Sequence, residues 1–329
     1  MKKILQYLFE HKTLSKEQAK EVLINISKGV YNDNEIASFT TVYLMRSITI
    51  EELQGFKDAL MELCIPVTFS DKVIDIVGTG GDGKNTFNIS TLSSFIVAGT
   101  GNKVAKHGNY SATSVSGSSN VMEELGYTFS SSNEVLQRQS DAANICFLHA
   151  PLFHPALKNV APVRMNLGVR TFFNMLGPLV NPVDPAYQLI GVFSLEMARI
   201  YNYLLQQSST TFTIIYSLDG YDEISLTNDT RVINNRGEKT LSAEYLGKRS
   251  VSAEDIYGGS SVEQAAKIFL KILKGEGSWA QNAVVIANAA MALQVIYPDK
   301  KYDDCYNEAV ESLESGKAFG SLQKLLSLQ

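Results

Sequence analysis

The sequence predicts an α/β protein, a small N-terminal all-helical domain followed by a larger α/β domain with a mostly parallel central sheet flanked by helices. Three observations lead there. The first 63 residues repeat helix-start signals, short β-rich runs then alternate with segments long enough for crossover helices, and the C-terminal portion returns to helical periodicity.

In chain order, Ser15 with Gln18, Asn32 with Glu35 and Thr49 with Glu52 have the spacing of capping boxes, so three short helices are expected to start there. After Ser15, Ala19, Val22, Leu23 and Ile26 share one helical face and Gly29 can end the helix; after Thr49, Leu53, Phe56, Leu60 and Leu63 do the same. The pattern changes at CIPVT (64–68), where Pro66 disfavours helix, and VIDIV (73–77) is a β-rich run that stops at glycine. The boundary is therefore placed with 1–66 helical and 67–329 α/β. Further strands are expected at 103–106, 145–149, 188–193 and 212–216, and helices at Val262–Leu273, Trp279–Ile296 and 305–313, with KGEG (274–277) as a loop. The polar stretch 227–252 reads only as a short strand or hairpin near 231–233.

A net charge of −5 speaks against a nucleic-acid or anionic-membrane partner, since such surfaces attract an excess of Lys and Arg. Glu10 and Lys12 interrupt the apolar start too early for a signal peptide, and no later stretch is read as a bilayer span. Cys64, Cys146 and Cys305 are widely spaced and form no CxxC pair, which argues against a disulfide framework or a cysteine zinc site and fits a cytoplasmic location.

The most informative stretch is GTGGDGKNTFNIST (78–91), directly after an expected strand and before a helical run from Leu92. Glycines let the backbone approach an anion, and amides at a helix N-terminus then point at phosphate oxygens; Ser90 and Thr91 add hydroxyls for capping, phosphate or a hard metal ion. The stretch spells GxxxxGK, but Asn85 replaces the Ser or Thr a Walker A loop needs. It also spells GxGxxG, but the helix does not follow the glycines directly and no acidic residue lies about 20 residues on. The glycines at 78–83 alone are better explained by a tight turn, and the added NIST in helix-start context favours anion binding. A second cluster, KHGNYSATSVSGSS (106–119), also follows a strand. Open α/β sheets bind ligands beyond the carboxyl ends of their strands, so the two loops should share a crevice; Lys106, His107 and Asn109 are groups a Ser-rich linker would not need.

Together GTGGD, NIST and KHGN resemble the anthranilate phosphoribosyltransferases, second enzymes of tryptophan biosynthesis with a class III, nucleoside-phosphorylase-II-like fold. HPALK (154–158), Arg164, LGVRTFFNMLGPLVNP (167–182) and DGYDE (219–223) continue the resemblance along essentially the whole chain. It implies a pentosyltransferase that joins anthranilate to the ribose of phosphoribosyl pyrophosphate (PRPP). Gly78, Gly81, Asp82, Thr86, Asn88, Ile89, Ser90 and Thr91 would then hold PRPP, with the loop Lys106, His107, Gly108, Asn109, Tyr110, Ser111, Ala112, Thr113 and Ser114, and Ser118. Gly78, Asn109 and Arg164 would meet anthranilate, with His107, His154 and Pro178 nearby. Magnesium, two ions per subunit, would be held by Ser90, Asp222 and Glu223.

From the residues alone, an Asp-Glu pair is more often solvated surface charge, Arg164 can equally cap the end of a helix begun near Pro155, and His154 can be that helix's N-terminal polar residue. The resemblance also implies a homodimer through the helical domain, with 167–182 packing back on it. Tyr110 stands where many relatives have arginine, and Tyr216-Ser217 where a His-Gly pair is common. Two rival readings are a pyrimidine nucleoside phosphorylase, whose motifs are missing, and a catalytically silent nucleic-acid binder, which would need a basic surface.

Overall fold

The three capping boxes all form. In each, the side chain of Ser15, Asn32 or Thr49 accepts the backbone N–H three residues on, and Gln18, Glu35 or Glu52 returns the bond to the cap residue's N–H. They open α2 (Lys16–Ser27), α3 (Asp33–Met45) and α4 (Ile50–Leu63), which follow α1 (Lys2–Phe9). The computed structural model describes residues 1–111 and 114–329, which divide into two units: Met1–Val67 with Ala150–Pro182, and Thr68–His149 with Val183–Gln329.

The helical unit thus contains 167–182 and reaches back to Ala150. The inserted segment carries α8 (Ala150–Phe153), α9 (Ala161–Leu167) and three 3₁₀ turns. Its anchor is aromatic: Phe172 stacks on Phe56 at 4.6 Å and meets Phe39 edge-on at 6.2 Å. Main-chain bonds from Ile65 N–H to the Phe153 carbonyl and from Val67 N–H to the Pro182 carbonyl close its two ends.

Glu52 does more than cap. Fully buried, it accepts N–H groups from Leu14 and Thr49 and a two-pronged bond from Arg46 at 2.6 and 2.9 Å. Burial pushes its pKa up, but the Arg46 and backbone hydrogen bonds outweigh this and hold it below the usual carboxylate range. Glu52→Ala leaves Arg46 unpaired and should cost about 3–5 kcal/mol. Because the folded pKa is the lower one, this contribution is present above the ordinary carboxylate pKa and lost as pH falls through the folded value. Urea midpoints of wild type and variant should therefore draw closer as pH falls below the ordinary carboxylate range.

In the second unit one sheet has the order β3-β2-β1-β4-β5-β6-β7. β1 (Ile74–Gly78), β2 (Val104–Gly108), β3 (Ile145–His149), β4 (Tyr187–Gly191) and β5 (Thr211–Ser217) run parallel. α5 (Ile89–Gly99), α6 (Ser118–Glu124), α7 (Asn133–Ala143) and α10 (Leu195–Leu205) serve the crossovers. The region near 231–233 is a hairpin, β6 (Thr230–Asn234) and β7 (Gly237–Leu241), added antiparallel to β5 and followed by α11 (Ala243–Gly247). The C-terminal helices are α12 (Val262–Leu273), α13 (Trp279–Ile296), α14 (Tyr302–Glu314) and a helix not read from the sequence, α15 (Lys317–Leu326).

One expectation needs correction: by length and composition α13 does qualify as a membrane span. It is apolar on nearly every side because it is a core helix, buried among α5, α14 and the sheet.

Candidate active site

Strand order reverses between β1 and β4, so the loops leaving β1 and β4 diverge and open a crevice at the carboxyl edge of the sheet. The glycine-rich loop leaves β1 there. Gly80, Gly81 and Gly83 have φ of +64°, +77° and +77°, which other residues rarely adopt. Gly78 is needed for another reason: a Cβ would lie 2.4 Å from Asp222 Oδ2. Residues 84–88 separate the glycines from α5, so neither the Walker A nor the dinucleotide geometry forms. The helix begins at Ile89, earlier than Leu92, placing Ser90 and Thr91 in its first turn.

The acidic pair comes from the loop after β5, turned by Asp219-Gly220 with Gly220 at φ +89°. Asp222 Oδ2 accepts the Gly80 N–H at 2.7 Å, and Glu223 Oε1 accepts the Ser90 N–H at 2.9 Å. The pair is therefore not solvated surface charge; it ties both ends of the glycine-rich loop. Burial and then the neighbouring Asp82 push Asp222 up to about 7, and burial and then Asp222 push Glu223 well above the usual range. Asp82 is also raised, by burial.

Such a cluster fits a divalent cation, which removes the repulsion that raises these pKa values. Among the described residues no group of three or more His, Cys, Asp or Glu forms a metal-binding cluster. Magnesium commonly takes one or two carboxylates and completes its shell with water and substrate phosphate.

Lys106, buried in β2, points its ammonium to the same place, donating to the Ile76 carbonyl at 2.6 Å and lying 3.4 Å from Ser90 Oγ. Burial lowers its pKa, opposed by Asp75, Glu223 and Asp222. Beyond it, Asn109 and Tyr110 are exposed, and Ser111 and Ser114 share a 2.8 Å hydroxyl contact. Ser118 Oγ donates to the Asn109 carbonyl at 3.4 Å. Gly108 lies against Ser118, where a Cβ would be 2.3 Å from its hydroxyl. Ala112 and Thr113 lie outside the described residues.

Other residues expected at the acceptor belong to the helical unit. Arg164, half-buried inside α9, donates to Asn174 Oδ1 at 3.3 Å and sits 5.6 Å over the Phe173 ring. Burial lowers its pKa, yet a guanidinium stays charged. His154 is buried, with Nε2 2.7 Å from the Val180 carbonyl; burial lowers its pKa. Pro178 is buried in the turn Gly177–Leu179.

Residues 70–319 match the model of the glycosyl transferase family, a/b domain, and residues 2–64 that of the glycosyl transferase family, helical bundle domain. Anthranilate phosphoribosyltransferase of Christiangramia forsetii is 59% identical over 100% of this chain and 99% of its own, and that of Bacteroides thetaiotaomicron 54% over the same shares. The chain belongs to the anthranilate phosphoribosyltransferase family. The anthranilate phosphoribosyltransferase structure from Thermus thermophilus superimposes with a TM-score of 0.91 at 31% identity, covering 98% of each chain. The Saccharomyces cerevisiae anthranilate phosphoribosyltransferase in complex with PRPP and Mg gives 0.88 at 26%, covering 96% of this chain and 93% of that one.

Within this family fold, two residues escaped sequence reasoning. Ser217 is buried, and its hydroxyl donates to the Glu223 carbonyl at 2.6 Å, fixing the acidic pair. Asp75 is buried in β1 and accepts the His107 N–H at 3.2 Å. β1 and β2 register only at Ile74 and Val104, so the Asp75 and Lys106 side chains join the strands where main-chain pairing stops. Aspartate inside a β-rich run was the signal available for Asp75; for Ser217 the signal was its departure from the His-Gly pair noted in the sequence.

Proposed function

We propose that this chain transfers the 5-phosphoribosyl group of PRPP to the amine of anthranilate, giving N-(5-phosphoribosyl)anthranilate and pyrophosphate. One observation carries the reading: Lys106, Asp222, Glu223 and the first turn of α5 meet at the glycine-rich loop, beyond the carboxyl ends of the parallel strands. Full-length identity of 59% to an anthranilate phosphoribosyltransferase supports the acceptor's identity.

In this reading the loop amides, Thr86, Asn88 and Thr91 hold the diphosphate and ribose, Lys106 offsets phosphate charge, and residues 107–114 with Ser118 hold the remaining groups. Asp222, Glu223 and Ser90 would hold magnesium, which supplies Lewis-acid stabilisation of the leaving pyrophosphate; the complex of the yeast relative with PRPP and Mg supports this. The anthranilate amine is neutral at physiological pH, so no general base is assigned. Catalysis comes from positioning the two substrates and from stabilising charge on the leaving group.

Arg164 takes the anthranilate carboxylate, and Gly78 and Asn109 contact the acceptor. Exposed Phe9, Leu44 and Met45 on the helical unit support a homodimer through that unit. The decisive assay follows anthranilate fluorescence with and without PRPP and magnesium; consumption that needs neither ends the proposal. Arg164→Ala should raise KM for anthranilate at least about tenfold while KM for PRPP changes little. Equal effects on both would remove Arg164 from the carboxylate pocket.

A further inference from the structure

The glycine-rich loop is gripped from outside by a segment no motif singled out. Between Asn85 and Phe87 it pairs antiparallel with residues 256–258: Phe87 N–H donates to the Ile256 carbonyl at 3.3 Å, and Gly258 N–H to the Asn85 carbonyl at 2.8 Å. Thr86 faces Tyr257 in that bridge. The Asn85 side chain reaches on to the Gly259 carbonyl at 2.8 Å. Contact is closest at Gly258, which is buried: a Cβ there would lie 2.4 Å from the Thr86 carbonyl oxygen, 2.5 Å from its carbon and 2.8 Å from Phe87 N. Those are backbone atoms, so a side chain could enter only by moving the loop.

We propose that residues 256–259 form a clasp that sets the position of the glycine-rich loop, and that Gly258 is a positioning residue for PRPP. The inference rests on the loop being the PRPP cradle. The acidic pair holds that loop at Gly80 and Ser90, and Asn88 Nδ2 donates to the Ser116 carbonyl at 3.1 Å; between Asn85 and Phe87 the main-chain bonds to Ile256 and Gly258 hold the loop. The clasp holds this middle, so Thr86 and Asn88 meet the ligand without first being ordered, a cost otherwise taken from affinity. Closeness requires glycine, which explains a buried Gly-Gly pair ahead of α12.

Gly258→Ala should raise KM for PRPP, and the Kd of PRPP with magnesium by calorimetry, about tenfold or more, because ångström-scale misplacement of binding groups has effects of that size. KM for anthranilate and kcat should stay within about threefold. Asn85→Ala, which removes one bond without adding bulk, should move the same constant by about threefold, and it carries the test if Gly258→Ala does not fold. The control for general damage is Gly247→Ala, whose Cβ would press on Leu226 side-chain carbons in the core at 2.2 Å; it should lose stability without changing KM for PRPP.

An unchanged KM for PRPP in folded Gly258→Ala, or an equal rise in Gly247→Ala, overturns the clasp. If the wild type turns over no anthranilate with PRPP, the proposed function fails instead. Exchange of the Phe87 amide then decides the clasp alone: it should quicken in Gly258→Ala but not in Gly247→Ala, and equal rates in both refute it.

Discussion

Replacing Asp222 and Glu223 together by Asn and Gln should lower magnesium-dependent turnover at least about 10²-fold while leaving the metal-free protein as stable as before or more so. The opposed signs share one cause. Burial raises both folded pKa values, helped by Asp82 at Asp222, which reaches about 7, and by Asp222 at Glu223. Each carboxyl therefore contributes stability that is fully present below its unfolded pKa and lost as pH rises through the folded value. At neutral pH the ionised pair is a strained, cation-seeking arrangement, and neutral amides relieve it. They still accept the Gly80 and Ser90 N–H groups, so the loop stays in place. Thermal melting without metal and a magnesium titration of rate separate the effects. Wild-type affinity for magnesium should fall as pH drops through about 7, because bound protons compete with the metal. Unchanged activity across the titration would sink the metal assignment, and marked destabilisation would mean the pair is structural.

Lys106→Met should lower kcat/KM for PRPP by roughly 10²–10³-fold. Methionine keeps most of the stem volume, so the change chiefly removes the ammonium. In the native protein that ammonium faces Ser90 Oγ and lies in the field of Asp75, Glu223 and Asp222. Burial opposes its charge and the three carboxylates only partly offset this, so its energetic return is greatest when phosphate arrives. Losing it leaves the Ile76 carbonyl without that donor, and some stability should go too. Steady-state kinetics in variants shown folded by circular dichroism make the check. A kcat/KM within about threefold of wild type would place Lys106 outside the phosphate site.

Local codes carried far in this protein. The capping boxes at Ser15, Asn32 and Thr49 and the left-handed glycines at 80, 81 and 83 are decided within a few residues, because caps and turn dihedrals are local physics. Five parallel strands were also legible, since each is a short apolar run ended by turn residues. The candidate site could be read because its phosphate-facing loops are contiguous stretches with unusual composition.

Tertiary structure alone decided what depends on distant partners. It extended the segment that joins the N-terminal helices back to Ala150, added β6 and β7 antiparallel, and turned the apolar length of α13 into a buried core helix. It also gave Asp222 two tasks, as metal-ligand candidate and as acceptor for Gly80 across 142 residues of chain, and brought Gly258 against Thr86. The reason is physical: a serine such as Ser217 or a glycine such as Gly258 has no periodicity, and its meaning comes only from the atoms folding places against it.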